Sequence, residues 1–312
     1  VVERKPGMNV LKSRWVLKFT TDEKTGAVLK VKARLVACGY SQREGVDYSE
    51  VFAKNLAASY FRLFIALVAE EDLETDQIDA VKAFTQSEID CDIYVEMAYG
   101  FAVPGHVLKL KKALEGIKQG AFLWFNRNRD ALLACGFEPS LIEPNLYQHT
   151  RVRSVRVAVF ADDVIASYHI GVRETYIRIR AEYAKRINIG TDAPTPLNRF
   201  TGILVTRDRS ARTITLSQPS YIKALAKKYA GRFTEHGMPY DSSKAEREKL
   251  ERLQPAKESE KMNVTEYLEL YGALAWPTNQ TRPDGAFIIS FLGSFCQSPG
   301  KEHFRRLLGV LG

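Results

Sequence analysis

The stretch Val157-Ala158-Val159-Phe160-Ala161-Asp162-Asp163-Val164-Ile165-Ala166 decides how the rest of this chain is read. Apolar runs rich in β-branched residues flank two adjacent carboxylates. Runs of this kind predict two buried strands, and the short interval between them predicts a tight hairpin with Asp162 and Asp163 at its tip. Two neighbouring negative charges beside buried strands are unfavourable unless something compensates them, because desolvation and mutual repulsion both penalise the ionised forms. A bound cation is one compensation. Ordinary turn chemistry is the other reading, since Asp is common in hairpin turns. The choice rests on a further carboxylate in a matching setting.

Thr75-Asp76-Gln77-Ile78-Asp79-Ala80-Val81-Lys82-Ala83-Phe84 supplies one. Asp79 closes a short strand-like run, and Phe84 follows five positions on, where a helical pattern starts. Taken alone, Asp79 reads equally as a helix cap with Phe84 as plain core. Taken with Asp162 and Asp163, it completes a set of hard oxygen donors drawn from separate segments. Mg²⁺ demands such ligands, keeps near-octahedral geometry and retains several waters. Asp79, Asp162 and Asp163 are therefore candidate ligands for a hard cation such as Mg²⁺.

Motifs elsewhere fall in a recognisable order. Arg14-Trp15-Val16-Leu17-Lys18, Lys32-Ala33-Arg34-Leu35-Val36-Ala37 and Gly39-Tyr40-Ser41-Gln42 precede the Asp79 block. Ile93-Tyr94-Val95-Glu96-Met97, Gly116-Ile117-Lys118-Gln119 and Trp124-Phe125 follow it. Beyond the Asp-Asp turn come Phe200-Thr201-Gly202-Ile203, Leu216-Ser217-Gln218 with Tyr221-Ile222, and Thr281-Arg282-Pro283-Asp284. Collinear over most of the chain, this series resembles the reverse transcriptase domain of copia-type long-terminal-repeat retrotransposon polyproteins. Phe160-Ala161-Asp162-Asp163 stands where that family carries Y-V-D-D.

The resemblance implies an α+β right-hand polymerase with palm, fingers and thumb, and an RNA-directed DNA polymerase that extends a primer with dNTPs. Asp79, Asp162 and Asp163 would be the catalytic metal ligands. Lys32 and Arg34 would contact the triphosphate from the fingers, where a planar guanidinium and a mobile ammonium both suit phosphate oxygens. Ala80 and Phe84 would border the nucleotide, with Phe84 lying under the sugar as a steric gate against a 2′-hydroxyl. Gln119 and Gly120 would support the nucleotide sugar and templating base, and Phe200, Thr201 and Gly202 would form the primer grip. The family commonly reads K-Q-S/A-P-R-x-W, whereas Lys118-Gln119-Gly120-Ala121-Phe122-Leu123-Trp124 lacks the Pro and the Arg. Phe122 removes a cation from the template or nucleotide path. It supports a second reading, a decayed or domesticated copy that keeps the fold and binds nucleic acid without polymerising.

The chain has 312 residues, 45% of them hydrophobic, enough to bury a substantial core across subdomains. A formal net charge of +8 fits a polyanionic partner, an RNA or DNA template–primer. Four dispersed cysteines and five histidines show no metal-ligand spacing and read as reduced thiols and ordinary side chains of an intracellular protein. No apolar run approaches the roughly 20 residues of a membrane span. The chain reads as a fragment of a longer polyprotein, with integrase and ribonuclease H domains as expected neighbours. In an intact element that places it in a cytoplasmic particle and the nucleus. Residues 1–262 are expected to hold fingers, palm and thumb, and 263–312 the start of a connection towards ribonuclease H. A fingers hairpin is predicted over 10–40 with its turn at Asp22-Glu23-Lys24-Thr25-Gly26, helices over 56–71, 121–136 and 172–186, strands over 197–217, and an amphipathic helix from Tyr221 to Tyr229, either a thumb helix along the duplex or an ordinary surface helix. The charge-dense 241–262 stretch reads as a solvated helix or mobile linker.

Overall fold

A computed structural model describes residues 1–21, 27–190, 193–234, 237–241 and 243–311. The predicted turn at Asp22 to Gly26 and His236 lie outside the described residues. Two compact units divide the chain, Val1–Leu197 and Asn198–Gly312.

In the first unit the elements run β1 (Val2–Glu3), β2 (Val10–Leu11), β3 (Ser13–Thr21), β4 (Val28–Ala37), α1 (Ala58–Glu70), β5 (Glu74–Asp79), β6 (Tyr94–Val95), β7 (His106–Lys109) and α2 (Gly120–Ala134). They continue with β8 (Phe137–Pro139), β9 (Leu146–His149), β10 (Arg156–Phe160), β11 (Asp163–Tyr168) and α3 (Arg173–Ala184). Five strands form an antiparallel sheet in the order β5-β11-β10-β9-β8. Its two central strands are buried on both faces: Val157, Ala158 and Val159 of β10 and Val164, Ile165 and Ala166 of β11 are all at most 4% exposed. That explains why these segments read as continuous apolar runs rather than alternating ones. Ile78, Val157, Val159, Val164 and Ala166 share a core with Trp124 and Leu132 of α2 and Tyr176 and Tyr183 of α3. On the opposite face Arg156 forms a two-point ion pair with Glu71, at the end of α1.

The helix α1 arises from apolar residues at helical spacing, with Phe61, Phe64, Ile65 and Val68 buried. β3 and β4 pair as an antiparallel ribbon, the fingers hairpin expected from the sequence. A small sheet of β1, β7, β6 and β2 lies in the same unit.

The second unit holds β12 (Arg199–Phe200), β13 (Ile203–Asp208), β14 (Thr213–Ser217), α4 (Pro219–Lys228), α5 (Lys244–Glu251), α6 (Val264–Gln280), α7 (Ala286–Gly293) and α8 (Lys301–Leu311). Its three strands pair in sequence order. Its core joins Leu225 and Tyr229 to Leu250, Tyr267, Leu270, Ile288, Leu292 and Leu307. α4 carries the predicted amphipathic pattern, with Leu225 buried and Lys223, Lys227 and Lys228 exposed. Of the two readings of 241–262, the helix holds over Lys244–Glu251. α5 is N-capped by Ser243, buries Leu250 at 3% exposure, and anchors Glu246 to Arg306 of α8. Among the described residues no helix is long and apolar enough to cross a membrane.

Candidate active site

β10 and β11 close through a two-residue turn, Ala161-Asp162, with Phe160 paired to Asp163. Ala161 sits at φ 50°, in the left-handed region that L-residues other than Gly and Asn rarely adopt. The ladder between β11 and β5 sets Asp163 directly opposite Asp79. Directly opposed residues of an antiparallel pair have Cβ atoms about 4.5–5.5 Å apart. The two carboxylates thus leave the same end and the same face of the sheet, the face away from α2 and α3. Asp79 and Asp162 are exposed, and Asp163 is half-buried.

Burial raises the Asp163 carboxyl from its ordinary 3.8 to about 6, and the neighbouring charges of Asp162 and Asp79 push it the same way. Like charges held this close are relieved by a proton or by a cation. As placed, among the described residues, no group of three or more His, Cys, Asp or Glu side chains converges on a single ion position. What recommends the site for a hard cation is its donor chemistry: carboxylate oxygens from two strands and a turn, one of them half-buried beside the other two.

Neighbouring segments fix the carboxylate strand. Gly190 N–H donates to the Asp79 carbonyl at 2.9 Å, Val81 N–H donates to Asn188 at 3.0 Å, and Ala80 bridges Ile189. Lys82 turns the chain at φ 50° into the 3₁₀ turn Ala83–Gln86, which carries Phe84. Phe84 is half-buried against the core behind the sheet and lines a small recess with Trp124, Phe125, Val159 and Ala161. Trp124 Nε1 donates to the Ala161 carbonyl at 2.7 Å.

Gln119 and Gly120 open α2, and their placement differs from the implied role in one respect. Gln119 is fully buried, its amide accepting from Gln42 at 2.9 Å and donating to the Asp47 carbonyl at 2.8 Å. As placed, it ties α2 to the 42–47 loop. A Cβ on Gly120 would meet nothing closer than 3.4 Å, so the position is not sterically reserved for glycine. Gly120 does face Phe84, whose ring would lie 3.7 Å from that Cβ.

Lys32 and Arg34 lie on β4, away from the palm sheet. The register puts Arg14, Lys18, Lys30, Lys32 and Arg34 on one face of the ribbon and Trp15, Leu17, Phe19, Val31 and Leu35 on the other. Lys32 and Arg34 are exposed and form no ion pair among the described residues. In the second unit Phe200, Thr201 and Gly202 form the β12–β13 hairpin, with Thr201 at φ 46° and Gly202 at φ 84°, the pattern of a type I′ turn. A Cβ on Gly202 would stand 3.1 Å from Trp276, so glycine suits this position sterically as well as conformationally.

Two features escaped the sequence reading. Asp76, three residues before Asp79, is fully buried and paired with Arg180 at 2.7 Å, with Tyr176 Oη and Thr195 N–H donating at 2.5 and 2.7 Å. Strand alternation from Asp79 assigns Asp76 to the core face, which was the available signal. Its partner lies 104 residues away on α3. The second is Trp124, legible only as a motif residue.

The family described as reverse transcriptase (RNA-dependent DNA polymerase) matches residues 1–236. The retrovirus-related Pol polyprotein from transposon TNT 1-94 of Nicotiana tabacum is 27% identical over 320 residues, covering 100% of this chain and 23% of that protein. The corresponding polyprotein from transposon RE1 of Arabidopsis thaliana is 29% identical over 311 residues, covering 97% of this chain and 20% of that protein. The chain therefore spans about a fifth of the length of these curated relatives. Among solved structures, the foamy viral protease–reverse transcriptase in complex with double-stranded DNA aligns with a TM-score of 0.50 at 11% identity, covering 99% of this chain and 44% of that one. That likeness is one of fold and bears out the α+β polymerase class. With the family match covering most of its length and retrotransposon polyproteins as its relatives, the chain belongs to the reverse transcriptase (RNA-dependent DNA polymerase) family, in its copia-type branch.

Proposed function

We propose that this chain is the RNA-directed DNA polymerase segment of a retrotransposon polyprotein, extending a primer with dNTPs on RNA and DNA templates. The observation that carries the reading is the pairing of Asp79 with Asp163 across β5 and β11, with Asp162 beside them in the turn. Asp79, Asp162 and Asp163 would hold two Mg²⁺ ions. When bound, Mg²⁺ supplies charge stabilisation to phosphoryl transfer, whose transition state is rich in negative charge. Phe84, which shares a recess with Ala161 of the hairpin turn, would be the ring under an incoming sugar. Lys32 and Arg34 present exposed cations suited to the triphosphate. Phe200, Thr201 and Gly202 would grip the primer strand, and the lysine face of α4 would follow the duplex backbone without reading sequence. Residues 263–312 would begin a connection towards ribonuclease H, built on the same core as α4, with integrase as another polyprotein partner. In an intact element the work would fall in a cytoplasmic particle and the nucleus.

Phe122 favours a second reading, a copy that binds nucleic acid without polymerising. Primer extension on poly(rA)/oligo(dT) with Mg²⁺, run beside an Asp162→Asn, Asp163→Asn variant, separates the two. The polymerase reading expects extension by the parent, loss in the variant and near-equal duplex binding by both. Duplex binding without extension by the parent would overturn it in favour of the binding module.

A further inference from the structure

We propose that Trp124 is a positioning residue for the Asp162-Asp163 hairpin, its indole N–H acting as a latch on the peptide that joins Ala161 to Asp162. The kinetic consequence rests on the polymerase reading above; the latch itself does not.

The donor is fixed. Trp124 is 2% exposed and packs in the core shared by β5, β10, β11, α2 and α3, so its ring cannot swing without disturbing that core. Its N–H meets the Ala161 carbonyl at 2.7 Å. The acceptor is one the strand ladder does not use, since pairing closes at Phe160 and Asp163. The held carbonyl also belongs to the planar peptide that carries the Asp162 N–H. Fixing that plane therefore fixes the ψ of Ala161 and restricts the φ of Asp162. Both torsions decide where the two carboxylates stand relative to Asp79.

Ala161 needs the support. It lies at φ 50°, a conformation disfavoured by its Cβ, and it has no polar side chain to stabilise that conformation locally. Residues held this way persist only where the surroundings over-determine them. The indole bond is such a determinant, delivered from a helix rather than from the hairpin's own strands. A bland alternative exists: a buried indole N–H needs some acceptor, and this carbonyl happens to be near. In that case the bond satisfies the tryptophan and does nothing for the turn.

The test separates these readings. Trp124 is replaced by 3-benzothienylalanine, which keeps the bicyclic ring but lacks the N–H, and in parallel by Phe. Both changes are made in the parent and in an Ala161→Gly background, where the left-handed conformation carries no Cβ penalty. The latch predicts that loss of the N–H lowers kcat about tenfold to hundredfold, the range a small misplacement of reacting groups produces. It predicts dNTP KM and template–primer Kd unchanged within about twofold of the parent, and a melting temperature lowered by only a few degrees for the benzothienyl protein. It further predicts a smaller loss in the Ala161→Gly background. An equal loss in both backgrounds, or no loss of kcat, overturns the proposal.

A measurement independent of activity accompanies this. The chain has three tryptophans, so the Trp124 indole proton is assigned by its disappearance in the Trp124→Phe protein. The latch predicts slow exchange of that proton and faster amide exchange at Asp162 and Asp163 once the N–H is gone. Indole exchange as fast as that of Trp15, which is 41% exposed, overturns it. So does turn amide exchange that ignores the substitution. A parent that extends no primer yet passes these exchange tests fails the polymerase reading and leaves the latch standing.

Discussion

Asp163 is under opposing demands that the chemistry of its neighbours makes measurable. Its carboxyl is held at about 6 instead of 3.8, first by burial and then by the charges of Asp162 and Asp79. The folded protein thus binds this proton more tightly than the unfolded chain does. The associated stability is present below about pH 4 and is lost as pH rises through about 6. Without divalent metal, Asp163→Asn should raise the melting temperature at pH 7, with the gain shrinking to nothing near pH 4. Calorimetry across that range checks it, and a pH-independent difference would remove the ionisation argument. Asp76 finds its compensation inside the fold. Its ion pair with Arg180 is fully buried, so removing one partner leaves an uncompensated charge. Arg180→Met should destabilise the fold by about 3–5 kcal/mol in denaturant titration. A loss under about 1 kcal/mol would fit only an exposed pair.

At the level of elements, the β3–β4 ribbon separates its side chains by charge, with five cations on one face and an apolar row on the other. Leu17, Phe19 and Val31 of that row are each more than half exposed. If the cationic face meets the triphosphate, Lys32→Ala and Arg34→Ala should each raise dNTP KM about tenfold, as loss of one charge-assisted contact worth about 1.5–3 kcal/mol would. Steady-state kinetics checks this, and a fall in kcat at constant KM would instead place these side chains outside ground-state binding. Much of this level was legible in the sequence. The α1 and α4 periodicities, the doubly buried β10–β11 hairpin and the ribbon all follow from local patterns. The Asp79 strand was legible mainly as a partner for the Asp-Asp turn, because Ile78 is its one apolar residue. What local pattern could not supply was long-range pairing. Arg180 answers Asp76 from α3, Gln119 turns inward to Gln42 and Asp47, and Trp124 reaches the turn from α2. Gln119 is the instructive case: its motif position predicted a ligand contact, and its burial instead ties helix to loop. Likewise, the high charge of 241–262 hid the buried Leu250 and the ion pair of Glu246 with Arg306 of α8, which anchor α5.

Across the whole chain, a formal charge of +8 suits a partner whose affinity comes mainly from phosphate neutralisation. Template–primer binding should weaken by orders of magnitude between about 50 and 200 mM salt, with little dependence on sequence, if six or more phosphates are neutralised. Fluorescence anisotropy over that range tests it, and salt-independent binding would contradict an electrostatic interface. The two compact units keep separate cores, so Asp79, Asp162 and Asp163 belong to one and the Phe200-Thr201-Gly202 hairpin to the other. The central claim is that the carboxylates opposed across β5 and β11 are the reaction centre. Single-turnover extension of a DNA primer on an RNA template, by the parent and by Asp79→Asn at saturating template–primer, tests it most directly. The account predicts Mg²⁺-dependent incorporation by the parent, loss by Asp79→Asn of at least about a thousandfold, roughly 4 kcal/mol of transition-state stabilisation, and unchanged template–primer affinity. Incorporation by Asp79→Asn at a rate close to the parent's would contradict it.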